Sequence, residues 1–233
     1  MSRRLEWDSS FFGMPIGESR AASEQELRVA DDWARDQRLR CQYLAIPSES
    51  FPLIASAEAR GYQLTGVRMS LVAEAPFRPD LTGTGGMRVR PVRDDDIGAL
   101  ERIASTAHPD TRFFADQHFP REACARLYET WIRRSAEGWA DCVLVADGDG
   151  PVAYATLHRD GDAARIGLIA VASDTRRLGI GRALMIDAFR WCDATGVRRL
   201  SVATQAQNTS ALRFYLRCGF NVDQVDFWLH KWW

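Results

Sequence analysis

The run Arg176-Arg177-Leu178-Gly179-Ile180-Gly181-Arg182 gathers three guanidinium groups around two glycines. It follows an apolar stretch, Ile166 to Val171, and opens an amphipathic run, Ala183 to Ala194. The pattern predicts a strand, a tight loop and a helix N-terminus. Free backbone N–H groups and the positive end of the helix dipole bind phosphate oxygens there. Gly179 and Gly181 lack the Cβ atoms that would hold a diphosphate away, and the arginines add fork-shaped cationic donors. A Walker loop needs Gly-Lys-Ser/Thr, and no Lys stands here. A dinucleotide fingerprint needs a third glycine where Leu184 stands.

A second constellation follows. Val197 to Gln205 alternates as a strand, and Asn208 through Phe220 reads as a helix with Asn208 as N-cap and Gly219 as stop. Asn208 and Tyr215 are seven residues apart, so they share a helix face about two turns apart. Tyr215 reads either as a proton donor or as a buried aromatic with its hydroxyl tied to backbone.

Arg-x-x-Gly-x-Gly followed by Asn-x-x-Ala-x-x-x-Tyr-x-x-x-Gly-Phe resembles the two signatures of the GNAT acetyltransferase superfamily. The resemblance implies an α/β (α+β) GNAT fold, a mixed central sheet flanked by helices, with acetyl-CoA as cosubstrate. It implies that Arg176, Arg177, Leu178, Gly179, Ile180, Gly181 and Arg182 hold the diphosphate. Ile169, Ala170 and Val171 would present backbone to the pantetheine and the oxyanion, with Asn208 and Tyr215 completing the site. Tyr215, with an ordinary pKa of about 10, is the expected general acid for the leaving thiolate. Many members carry a glutamate on the strand before the loop. Here Ala163 to Leu168 holds no carboxylate, which leaves His158 as the candidate base, or else a strand-end histidine exposed at a turn, with a water chain to bulk taking the proton of a partly neutral sugar amine.

Further segments resemble the dTDP-fucosamine acetyltransferase family: Leu5-x-Trp7-Asp8-Ser9-x-Phe11-Phe12-Gly13, Thr111-Arg112-Phe113 with Asp116, Leu127-Tyr128-x-x-Trp131-Ile132, Ala164-Arg165-Ile166-Gly167-Leu168, Val202-Ala203-Thr204-Gln205 with Asn208-Thr209 and Tyr215, and Trp228-Leu229. That likeness implies a homodimer and a dTDP-linked amino-dideoxy sugar as acceptor. In the loop from His108 to Phe119, Arg112 could pair with a nucleotide diphosphate, Asp116 could accept from the sugar, and Phe113 could wall the pocket. The plainer alternative packs the phenylalanines on the core and pairs Arg112 with Asp116. Gln205 is a further acceptor-site candidate. Other acceptors, an aminoglycoside or a peptide amine, stay open, as does a CoA-binding module without catalysis.

The elements must position these groups within 233 residues. Apolar residues make up 46% and charged residues 26%, a globular balance. The net charge of −1 argues against a nucleic-acid surface, and no apolar run reaches the roughly 20 residues of a membrane helix. The N-terminus lacks an apolar signal core, and five scattered cysteines fit reduced core thiols, so a cytoplasmic protein is expected. The four histidines have no metal-ligand spacing, and no metal is expected. The Pro/Gly-rich stretch 75–86 reads as a linker between an N-terminal α/β domain, 1–74, and the acetyltransferase domain, 87–233. Asp94 is expected to cap the first helix after it, and Pro120 to open the second. Arg60-Gly61-Tyr62 echoes Cys218-Gly219-Phe220, each a helix end, a glycine, an aromatic and a strand, so the first half could be a truncated copy of the second.

Overall fold

The computed structural model describes residues 1–77 and 87–233; most of the expected linker, 78–86, lies outside the described residues. The first half contains β1 (Ser2–Arg4), α1 (Glu6–Phe12), β2 (Ile16–Arg20), α2 (Glu24–Asp36), β3 (Cys41–Pro47), α3 (Leu53–Ala59) and β4 (Gln63–Glu74). The second contains β5 (Arg88–Pro91), α4 (Ile97–Ala107), α5 (Arg112–Ala115), α6 (Arg121–Arg134), β6 (Cys142–Gly148), β7 (Gly150–Asp160) and β8 (Ala163–Val171). It ends with α7 (Ile180–Thr195), β9 (Arg199–Gln205), α8 (Thr209–Arg217) and β10 (Asn221–Trp232).

All ten strands form one sheet, in the order β1-β2-β3-β10-β4-β9-β8-β7-β6-β5. Its two parallel pairs, β2/β3 and β8/β9, are each bridged by a helix, α2 and α7, as parallel neighbours require. The final strand of each half sits against the other half: β4 pairs with β9, and β10 pairs with β3. The order β-α-β-α-β thus occurs twice, with the last strands exchanged. Gly61 and Gly219 end the corresponding helices at φ +88 and +89, a conformation that favours glycine. The echo in the sequence is therefore a structural repeat. The boundary expected at 75–86 does not separate two sheets, because β4 and β10 interleave the halves.

Packing follows the same continuity. One cluster joins Leu71 and Ala73 of β4 to α7, α8 and β9. Another joins Cys41, Tyr43 and Ala45 of β3 to α4, α6 and Trp228 of β10. β3 is buried on both faces through Ile46, as a central strand must be.

Two short helices, α1 and α5, fall where the sequence was read as irregular; at seven and four residues each holds too few turns to show a period. Asp94 does not cap α4. Asp96 stands at the helix N-cap without a side-chain cap bond; its carboxylate instead accepts from the Arg93 N–H at 2.8 Å and from Arg90 at 2.6 and 2.8 Å, fixing the turn that leads into the helix. Pro120 stands just before α6, as expected.

Candidate active site

β8 and β9 pair only from Ala163 to Ile166 on one side and Arg199 to Val202 on the other. Beyond that they part. Gly167 and Leu168 together face the single residue Thr156 of β7, a bulge that bends β8 away. Thr156 Oγ1 accepts from the Leu168 N–H at 2.9 Å and so holds the bulge. A Cβ on Gly167 would lie 2.6 Å from His158 Nε2 and 2.9 Å from Thr156 Oγ1, so only glycine fits there. The divergence leaves the β9 side of Gly167–Val171 without a partner strand.

Two cavities meet at this opening. The first, of about 730 Å³, is lined by Ile169, Ala170, Val171, Arg176, Arg177, Gly179, Ile180, Gly181, Arg182, Asn208 and Tyr215. These are the residues expected to hold the cosubstrate, with one exception. Leu178 is 64% exposed and does not line this cavity. It points outward because Arg177 and Gly179 both take positive φ, +67 and +79, turning the loop tightly into α7. Among the described residues, no backbone acceptor pairs with the N–H groups of residues 178 to 181. Arg176 Nε donates to the Val171 carbonyl at 3.2 Å and ties the loop to the strand. The Asn208 side chain caps α8 by accepting from the Ala211 N–H at 3.1 Å. A Cβ on Gly181 would meet Phe214 at 3.5 Å and face the same cavity. A bare N-terminal turn beside arginines and an open strand edge fits the diphosphate and amide arm of coenzyme A.

The second cavity, of about 360 Å³, lies on the other side of Tyr215. Arg112, Phe113 and Gln205 line it, as expected. So do Arg68, Arg165, His108 and Trp131. Tyr215, Asn208, Ala211, Asp110 and Ile169 belong to both cavities. Gln207 Nε2 donates to the Asp110 carbonyl at 2.9 Å, joining the two loops that flank the junction.

Tyr215 is 4% exposed, and its ring packs on Phe214 and Phe220. Its hydroxyl has no hydrogen-bond partner among the described residues, so it is not tied to backbone. Burial, and then the neighbouring Cys218, pushes its pKa well above the ordinary tyrosine value. The phenol therefore keeps its proton at neutral pH.

Two expected groups lie elsewhere. Asp116 does not reach either cavity and does not pair with Arg112. It is buried, and it accepts from His230 Nδ1 at 2.7 Å, Trp232 Nε1 at 2.9 Å, and His118 through its backbone N–H at 3.0 Å and its ring at 2.8 Å. Burial raises its pKa, but these donors outweigh burial and hold the carboxyl well below the usual range. Asp116 anchors the α5 loop to β10. His158 lines neither cavity. It packs edge-on against Trp139 at 5.2 Å, and burial with nearby Arg165 lowers its pKa. Opposite Arg165 it lies on the same face of the sheet, but its ring is held between Gly167 and Trp139, short of either cavity.

The sequence model of the Acetyltransferase (GNAT) family matches residues 83–220. The chain belongs to the GNAT acetyltransferase family. It is thus an acetyl-CoA-dependent N-acetyltransferase. The GNAT enzyme is 29% identical to the dTDP-fucosamine acetyltransferase of Escherichia coli O6:H1 over 231 residues, covering 97% of this chain and 96% of the relative. It is 28% identical to the spore coat polysaccharide biosynthesis protein SpsD of Bacillus subtilis, over 61% of this chain and 50% of that one. Among solved structures, a GCN5-related N-acetyltransferase from Sphaerobacter thermophilus superposes with a TM-score of 0.68 at 17% identity, covering 99% of this chain and 76% of that one. No helix among the described residues is long and apolar enough to cross a membrane, and no group of residues there could hold a metal ion.

Arg68 and Arg165 were not singled out from the sequence of this GNAT enzyme. Each is one arginine in a strand, and the pattern says only that it alternates with apolar neighbours. Their convergence depends on β4 lying beside β9, with Arg68 opposite Gln205.

Proposed function

We propose that this enzyme acetylates the primary amine of a nucleotide-linked amino-dideoxy sugar, with dTDP as the nucleotide. The observation that carries the reading is Tyr215 on the shared wall of two cavities, one fitted to coenzyme A and one cationic. The full-length likeness to an enzyme named for dTDP-fucosamine supports the acceptor. The residues of the first cavity would hold acetyl-CoA, which supplies an acyl group activated as a thioester.

The chain's own groups have three tasks. The loop 176–182 and the α7 N-terminus bind the diphosphate. The open backbone edge at Ile169–Val171 supplies donors for the pantetheine amides and the carbonyl oxygen. Tyr215 holds a proton at its hydroxyl where the sulfur departs. Its raised pKa does not disqualify it, because a thiolate in the same dry site is destabilised by the same desolvation. The amine gives up its proton to water in the acceptor cavity. The balance is one N–C bond formed, one C–S bond broken, one proton passed from Tyr215 to sulfur, and one proton lost by the amine to water, which returns a proton to Tyr215. Arg112 faces the acceptor's diphosphate.

An aminoglycoside fits this site less well, since a polycation would meet Arg68, Arg112 and Arg165, all of its own sign. Thiol release measured over a panel of dTDP- and UDP-amino sugars, peptides and aminoglycosides tests the reading. Turnover with nucleotide sugars alone supports it; turnover only with peptides or aminoglycosides overturns it.

A further inference from the structure

Arg68, Arg112 and Arg165 come from β4, α5 and β8 and converge on one cavity. None of the three forms an ion pair among the described residues. The acids near Arg68 are already engaged, Glu18 with Arg3 at 3.3 Å and Asp226 with Arg20 at 2.8 Å. The Arg112 guanidinium rests against the rings of Tyr43, Phe113 and Trp228 at 4.8, 4.6 and 4.4 Å, and its Nε is buried without an acceptor. Arg68 lies 5.9 Å from the same Trp228 ring. Trp228 is 5% exposed, and its indole N–H also lacks an acceptor.

Like charges drawn together repel, and buried donors without acceptors cost free energy. Two carboxylates stand nearby, Asp8, whose charge interacts with that of Arg112, and Asp110 on the cavity wall, but neither forms an ion pair with the three arginines, and the surplus of donors is complementary to an anion. A diphosphate suits the row better than a lone carboxylate, because it offers several acceptor oxygens and more than one charge to planar guanidinium forks.

Arg68 and Trp228 have a second environment. They also line a neighbouring cavity of about 420 Å³ over β2, β4 and β10, on the N-terminal half. Ser70 and Gln224 add polar groups to its wall, and its Arg20 and Asp226 are already paired. A polar, internally neutralised pocket with an aromatic wall suits an uncharged polar moiety.

We propose that Arg68, Arg112 and Arg165 clamp the acceptor's diphosphate, and that its nucleoside lies in the neighbouring cavity on the N-terminal half. The amine then points back toward Tyr215. This inference rests on the nucleotide-sugar reading above. It gives the N-terminal half a task of its own, holding the part of the acceptor that does not react.

Calorimetric titration of the intact enzyme with dTDP, and separately with inorganic pyrophosphate, tests the clamp. Arg165→Gln is the first variant, because this side chain is exposed on its strand and its loss spares the core. It should weaken both ligands by about 10- to 100-fold, the range for a charged hydrogen bond, with acetyl-CoA affinity unchanged. Ser70→Trp fills the second cavity and should weaken dTDP alone, leaving pyrophosphate as in the wild type. Absence of dTDP binding to wild type, or equal binding to wild type and both variants, overturns the inference. A free amino sugar turned over as efficiently as its nucleotide-linked form would also overturn it, while leaving sugar acetylation intact. Turnover restricted to peptide amines instead sinks the parent reading, whatever the titration shows.

Discussion

The cavity proposed for the acetyl donor and the cavity proposed for the acceptor share Tyr215 but are built in opposite ways. The donor side comes from two short stretches, Ile169 to Arg182 and Asn208 to Arg217, with a small addition from the end of α4. Most of its binding groups are backbone N–H donors, so the residue types mainly set the loop's shape. The acceptor side draws on β4, the α4–α5 loop, α6, β8 and β9. Its binding groups are side chains, each from a different element. A contiguous backbone site is preserved by glycines and a helix start; a dispersed side-chain site is preserved by the whole sheet.

The sharpest break between the two comes at their junction. Tyr215→Phe should lower kcat by about 10²–10⁴, the scale of one general acid, with little change in acetyl-CoA affinity. Stopped-flow thiol release and calorimetry would check both halves of that statement. An unchanged kcat would remove the phenol from the chemistry.

The donor side should fail as a unit. Gly181→Ala meets Phe214 carbons at 3.5 and 3.6 Å and Val171 Cγ2 at 3.9 Å, all ordinary contacts, so the fold survives, but the added methyl stands in the cavity. Loss of one charged hydrogen bond to the diphosphate should raise the acetyl-CoA Kd by about 10- to 100-fold. The acceptor KM should stay as it was, and a parallel rise in both would erase the distinction between the cavities.

The acceptor side should respond in the mirror sense. Arg112→Ala should raise the KM for a nucleotide sugar by about 10- to 30-fold without moving that for acetyl-CoA. Steady-state kinetics with each substrate varied in turn reads this directly.

Asp116→Asn sharpens the contrast between a ligand and an anchor. The amide cannot satisfy four donors as the carboxylate does, and about 2 kcal/mol of stability should be lost. Urea unfolding measures it. The KM for the acceptor at low temperature should hold; a large rise would return Asp116 to the substrate site.

The smallest effect is on pH. Burial lowers His108 and His230 to about 4, assisted for His108 by Arg176 and opposed for His230 by the Asp116 hydrogen bond. Since a carboxylate only accepts, the His230 proton sits on Nδ1, and the ring is neutral. The unfolded chain binds these two protons near pH 6.5, the folded one only near 4. Stability should therefore be fully present above pH 6.5 and fall as pH drops from there toward 4. The urea midpoint across that interval checks the sign; a flat profile would mean both rings are protonated in the folded state.

The same difference explains what could be read in the sequence. The loop 176–182 and the pair Asn208 and Tyr215 were legible because their meaning lies in spacing along one strand–loop–helix unit. Asp116 was misread because a short loop carboxylate looks the same whether it meets substrate or four donors, two from β10 more than a hundred residues away and two from its own loop. His158 falls on the expected face, opposite Arg165, but strand alternation does not show that Trp139 packs on it and that it stops short of the cavity. Arg68 and Arg165 carried no signal until the sheet order was known. The repeat was visible only as a Gly–aromatic echo, since the exchange of β4 and β10 leaves no trace in local pattern.

That exchange bears on how the molecule comes into being. During synthesis β3 and β4 emerge early, yet the strand that separates and joins them, β10, is made only after the other nine strands. Until then a gap stands in the middle of the sheet, with two edges waiting for residues about 150 to 190 positions away in a contact pattern that favours slow folding. The nascent chain must keep that gap from taking a strand belonging to something else.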